Sequence, residues 1–88
     1  MTERTVVIQN RAGIHARPSA LLVQITKNYT SQIYFEKGND RINAKSIMGI
    51  ITLGAAYGAE IKIIAEGEDE EKAVEALVRL IESKFEEE

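Results

Sequence analysis

No cysteine occurs among the 88 residues, so neither a disulfide framework nor a thiolate metal site can hold this chain, and its stability must come from packing. A reducing compartment suits such a composition. No apolar run approaches the ~18 residues of a membrane span. The opening Met1-Thr2-Glu3-Arg4-Thr5 carries no apolar signal region, which points to a cytoplasmic protein with no membrane insertion. Low-complexity stretches, linkers and solenoid-length repeats are also missing, so residues 1–88 read as a single domain, too small for a large cleft between lobes. No Walker or Gly-x-Gly-x-x-Gly pattern cradles a nucleotide, and one histidine without cysteine or neighbouring carboxylates cannot close a metal shell. Neither metal nor cofactor is expected.

What is present is 44% hydrophobic residues, enough for a small core, and a net charge of −3 that disfavours a general nucleic-acid binder. That sum hides a division. Residues 1–65 hold eight Lys/Arg and four Asp/Glu, or +4, whereas residues 66–88 hold three and ten, or −7. The terminal segment reads as an acidic, solvated helix and the remainder as a modestly basic surface suited to phosphate or an acidic partner. Tyr34 and Phe35 are adjacent on a strand and face opposite sides, so they make no base-stacking platform, and no nucleic-acid partner is expected.

Hydrophobic periodicity gives the order βαββαβα. Arg4 to Gln9 reads as a strand with Val6 and Ile8 on one face, and the spacing of Pro18, Leu22, Ile25 and Tyr29 predicts a helix from Ala16 to about Asn28. Gln32 to Glu36, the turn residues Lys37-Gly38-Asn39-Asp40 and a strand through Ile42 and Ala44 make a hairpin. Ser46 caps a short apolar helix that Gly54 stops. Ile61, Ile63 and Ala65 line a further strand, and Asp69 is the expected cap of a last helix whose apolar face is Ala73, Val74, Leu77, Leu80 and Ile81. The expected fold is α+β: an open-faced sandwich of a four-stranded antiparallel sheet with helices packed on one face.

Two helix starts carry the chemistry. His15 precedes the first long helix, where the N–H groups of Ala16 and Arg17 and the positive end of the dipole favour an anion and the Arg17 guanidinium adds a fixed cation. A phosphoryl group on an imidazole nitrogen would be held by backbone and side chain together. The plainer reading of this histidine is a capping or packing residue. At Ser46, capping accounts for the serine, while phosphorylation would place close to two negative charges beside Ile47, Met48 and Ile51, which a seven-residue helix cannot all bury.

Gly13-Ile14-His15-Ala16-Arg17-Pro18, then Lys45-Ser46-Ile47-Met48-Gly49, then Leu53-Gly54 and Gly58 together resemble HPr, the histidine-containing phosphocarrier family of the bacterial phosphoenolpyruvate-dependent phosphotransferase system. The resemblance covers essentially the whole chain. It implies a phosphoryl-transfer intermediate rather than a turnover enzyme: His15 accepts a phosphoryl group through Nδ1 from Enzyme I and passes it to an enzyme IIA protein, with Arg17 stabilising the phosphate. It implies a docking surface of Ala16, Arg17, Ala20, Gln24, Lys27, Ile47, Met48 and Ile51, working as a monomer. The match at Ser46 implies regulatory phosphorylation by HPr kinase/phosphorylase, opposing docking to Enzyme I.

Two positions differ from relatives. Ala12 stands where many carry Asn, Ser or Thr able to hydrogen-bond near the histidine, and Gln24 stands where some carry lysine. The ending Ile81-Glu82-Ser83-Lys84-Phe85-Glu86-Glu87-Glu88 is also similar to the nitrogen-related phosphocarrier branch. An alternative of another class is a regulatory binding module whose Ser46 phosphoform docks to a transcription regulator.

Overall fold

Period-two alternation points Val6, Ile33, Phe35, Ile61, Ile63 and Ala65 to one side of a sheet, and all six are buried in one cluster with residues of three helices. The computed structural model describes residues 1–86, so Glu87 and Glu88, the last two residues of the ending compared above, lie outside the described residues. The strands are β1 (Thr2–Val7), β2 (Gln32–Lys37), β3 (Asp40–Asn43) and β4 (Glu60–Glu66). The helices are α1 (Ala16–Thr26), α2 (Ile47–Leu53) and α3 (Glu70–Glu82). The sheet runs β1-β4-β2-β3, every pair antiparallel. This is the open-faced α+β sandwich the pattern implies.

The differences in detail come from partners distant in sequence. β1 begins at Thr2 rather than Arg4 because β4 reaches Ala65 and supplies ladder partners for the polar residues Thr2 and Glu3. Ile8 lies past the strand, yet its N–H donates to the Ala59 carbonyl at 2.9 Å and its carbonyl accepts from Gly58 N–H at 2.8 Å. α1 ends at Thr26, whose buried hydroxyl donates to the Ala44 carbonyl at 2.9 Å and ties the helix to the end of the hairpin. On α3, Val78 is buried with Ala73, Val74, Leu77 and Ile81, while Leu80 is only half-buried.

The other face of the sheet has no helix over it, but it is not simply solvated. Ile64 points there and is buried, set between Glu3 on β1 and Tyr34 on β2. The Arg41 guanidinium lies 5.4 Å from the Tyr34 ring centroid and pairs with Glu36 at 2.6 Å. The long stems of such side chains cover apolar surface while their charges stay in water. Ile64 is thereby sheltered, whereas Val7, on the same face at the end of β1, stays exposed.

Asp69 occupies the N-cap position of α3 but makes no capping bond. Its carboxylate instead accepts from the N–H groups of Thr30 at 2.9 Å and Ser31 at 3.0 Å and from both hydroxyls, stitching the turn before β2 to the start of α3. Glu70 accepts from the Thr2 hydroxyl and Gly67 N–H and pairs with the terminal ammonium at 3.0 Å, which fixes the first strand to the same helix start. Hydrogen bonds from the Ser31 hydroxyl first, then from Thr30 N–H, pull the Asp69 pKa down to about 2; those from the Thr2 hydroxyl and then Gly67 N–H take Glu70 to about 2. A depressed carboxyl pKa contributes stability above its unfolded value and loses it as pH falls toward the folded one. Urea midpoints should therefore drop between about pH 4 and pH 2, and Asp69→Asn should both lower the neutral-pH midpoint and flatten that acid limb.

Candidate functional site

The segment between β1 and α1 must turn sharply, and Gly13, with φ 72°, allows it. Its N–H donates to the Asn10 carbonyl at 3.1 Å, closing the turn, and the Asn10 side-chain amide donates to the Gly13 carbonyl at 2.7 Å. The next N–H, that of Ile14, donates to the Ala55 carbonyl at 2.8 Å. The loop carrying His15 thus rests directly on the loop that follows α2. Gly13 permits this closeness, because a Cβ there would sit 2.8 Å from the Ala55 carbonyl oxygen and 3.0 Å from Ala56 Cα. Ile14 is buried beneath the turn.

His15 is the N-cap residue of α1, in extended conformation, and its imidazole makes no capping hydrogen bond. The side chain is exposed. Neither of the ordinary structural uses, capping or core packing, accounts for it. Its carbonyl accepts from Ser19 N–H at 3.0 Å and from the Ser19 hydroxyl at 2.8 Å, so the helix start is anchored by a buried serine one turn in. The first N–H groups of a helix find no acceptor within it. At α1 they belong to Ala16 and Arg17, since Pro18 has none to offer. Arg17 is exposed beside them. An anion carried on the imidazole would meet backbone donors, dipole and guanidinium within one turn.

At the second helix start, Ser46 Oγ accepts from Gly49 N–H at 3.0 Å, and Gly54 ends α2 in the left-handed region at φ 66°. Ser46 is exposed and accessible as well as capping. Lys45, its neighbour, donates from Nζ to the Tyr29 carbonyl at 2.8 Å and so braces the end of α1. Of the apolar residues on α2, Ile50 and Leu53 are buried, while Ile47, Met48 and Ile51 are 42%, 69% and 38% exposed. α1 packs against α2. Ala16, Arg17, Gln24 and Lys27 are exposed on α1, and Ala20 is half-buried. Among the described residues no group of three or more His, Cys, Asp or Glu side chains is placed to hold a metal ion, and no helix is long and apolar enough to cross a membrane.

Sequence reasoning identified His15, Arg17 and Ser46 but missed Asn10 and Ala55, the two residues that hold the loop before His15. A sequence signal existed only for the first: an Asn three residues ahead of a Gly is a common way to close a turn.

The chain is similar to known proteins over essentially its whole length. The family described as PTS HPr component phosphorylation site matches residues 2–83. A phosphocarrier protein HPr of Treponema pallidum is 47% identical over 88 residues, the full length of both chains. A solved HPr structure from Thermoanaerobacter tengcongensis is 57% identical, with a TM-score of 0.97 over 100% of this chain and 99% of that one. Crh of Bacillus subtilis, described as a catabolite repression protein with a swapped domain in an intertwined dimer, is 39% identical, with a TM-score of 0.77 over 96% and 97% of the two chains.

The close approach at Gly13 sets a measurable demand. Gly13→Ala should lose more than ~1 kcal/mol of stability in urea unfolding, because strain at positive φ adds to a clash with backbone that cannot yield. Gly58→Ala, at φ 86° with nothing within 4 Å of the added Cβ, should show the conformational part alone.

Proposed function

Because the chain belongs to the HPr family, we propose that His15 carries a phosphoryl group from Enzyme I to enzyme IIA in the phosphoenolpyruvate-dependent sugar phosphotransferase system. Nδ1 of His15 attacks phosphorus, the P–N bond to the Enzyme I histidine breaks, and its electron pair stays on that histidine's ring nitrogen. The same exchange then runs from His15 to a histidine of enzyme IIA. The chain is a relay intermediate in which residues 1–88 act as one cytoplasmic phosphocarrier domain, without a cofactor or a substrate pocket of its own.

The observation that carries this reading is an exposed imidazole in an N-cap position that it does not use for capping, with an exposed arginine two residues on. Arg17 offsets the charge of the phosphoryl oxygens, and the N–H groups of Ala16 and Arg17 cradle them. Ile47, Met48 and Ile51, together with Ala16, Arg17, Ala20, Gln24 and Lys27, form the surface that both partners use in turn, a role suited to a monomer. The +4 charge of residues 1–65 complements acidic partner faces.

A second reading rests on Ser46 and on the likeness to Crh. Phosphorylated by HPr kinase/phosphorylase, Ser46 would still accept from Gly49 N–H while charging the rim of the apolar α2 patch. The phosphoform would then dock less well to Enzyme I and better to a transcription regulator. Partner binding that persists in His15→Ala and strengthens on Ser46 phosphorylation would favour this regulatory role.

Incubation with phosphoenolpyruvate, magnesium and Enzyme I should add one acid-labile phosphate to the wild-type chain and none to His15→Ala; phosphate on the variant would refute the assignment. Arg17→Ala should keep the site but lower the transfer rate by tenfold or more, ~1.4 kcal/mol of transition-state stabilisation. Ser46→Asp should raise KM for Enzyme I about tenfold. Ser46→Ala should leave KM unchanged and cost only the cap, ~1 kcal/mol in unfolding.

A further inference from the structure

The peptide unit between Gly13 and Ile14 is held at both ends. Its carbonyl accepts from the Asn10 side-chain amide at 2.7 Å, and its N–H donates to the Ala55 carbonyl at 2.8 Å. Asn10 itself is 0% exposed, so its amide acts where water does not compete, and the Asn10 carbonyl takes the Gly13 N–H as well. Ala12, between them, has no polar side chain and is exposed. One residue separates the fixed plane from His15, which on its other side is locked into α1 through the two bonds from Ser19 to its carbonyl. The backbone of His15 is therefore defined from before and after, and the one side chain that holds the part before is the buried Asn10 amide, beside two backbone bonds.

We propose that Asn10 is a positioning residue for phosphoryl transfer: its buried carboxamide fixes the Gly13–Ile14 peptide plane and, through it, the direction in which His15 leaves the loop. The inference rests on His15 being the phosphoryl acceptor. An in-line displacement needs the attacking nitrogen within a few tenths of an ångström of its productive place, and a misplacement of ~1 Å can cost ~100-fold in rate. Asn10 does not touch the phosphoryl group. It acts on the rate of transfer within a docked pair, whereas the proposed α2 patch acts on docking.

The wild-type chain provides the first test. NMR of the labelled protein should show one Asn10 Nδ2 proton exchanging slowly, with a scalar coupling to the Gly13 carbonyl carbon; two protons exchanging at the solvent rate would overturn the proposal without any variant. The second test uses Asn10→Ala and Asn10→Asp, the latter keeping the volume but facing the Gly13 carbonyl with an acceptor. Transfer from Enzyme I should lose tenfold or more in kcat with KM within twofold, and Ile14 N–H exchange should quicken at least tenfold while that of Leu77 in α3 holds. An unchanged kcat, or kcat, KM and Leu77 exchange moving together as in plain loss of stability, would sink the idea. If the wild-type chain accepts no phosphate at all, the phosphocarrier reading fails and the proposal with it. If it accepts phosphate and both variants keep kcat, only the proposal fails.

Discussion

Of the backbone hydrogen bonds that join the stretch before α1 to the stretch after α2, the one from Ile14 N–H to the Ala55 carbonyl lies next to His15. It forms because Gly13 has no side chain to keep the loops apart, and because α2 stops at Gly54, one residue earlier, in a conformation that turns the chain back toward α1. The loop before α1 and the loop after α2 are thereby tied together. His15 at the head of α1 and the exposed apolar residues of α2 share a frame that neither helix could provide alone, since an 11-residue and a seven-residue helix are each too short to hold a shape by themselves. The sheet's contribution is indirect: its apolar face shares one core with all three helices, and α1 packs against both α2 and α3.

Charge follows the same division of labour. The acidic terminal segment supplies α3, at whose start the partly exposed Asp69 and Glu70 bind the turn before β2 and the first strand. Among the described residues the other acids of this segment are exposed. Most of the cations lie in residues 1–65; Lys45 braces the end of α1, and Arg17 is the cation nearest the imidazole in sequence.

How much of this could be read from residues alone depended on the distance of the partner. The bounds of α2 were legible because both of its stops are local: a serine whose hydroxyl reaches the N–H three residues on, and a glycine in the left-handed region. Asp69 was legible as a helix start but not in its use, because the groups that claim its carboxylate, Thr30 and Ser31, come from 39 and 38 residues earlier. The burial of Ile64 on the uncovered face followed from register with Glu3 and Tyr34, which no period along one strand reveals. His15 and Arg17 stood out through their resemblance to a known pattern. Asn10 could have been read as a turn residue ahead of Gly13, but not in the use of its side chain, since an amide that serves a backbone carbonyl looks, in sequence, like any polar loop residue.

The two modified positions proposed for this chain sit at helix starts that differ in one respect. Ser46 caps its helix; His15 does not, so α1 forgoes a stabilisation typically worth ~1 kcal/mol. On the phosphocarrier reading, the oxygens that arrive on the imidazole are acceptors placed where a capping side chain would otherwise stand. Cargo and fastener are then one group: the loaded protein has a stiffer first turn than the empty one, and the two forms differ in mechanics as well as in charge when a partner meets them.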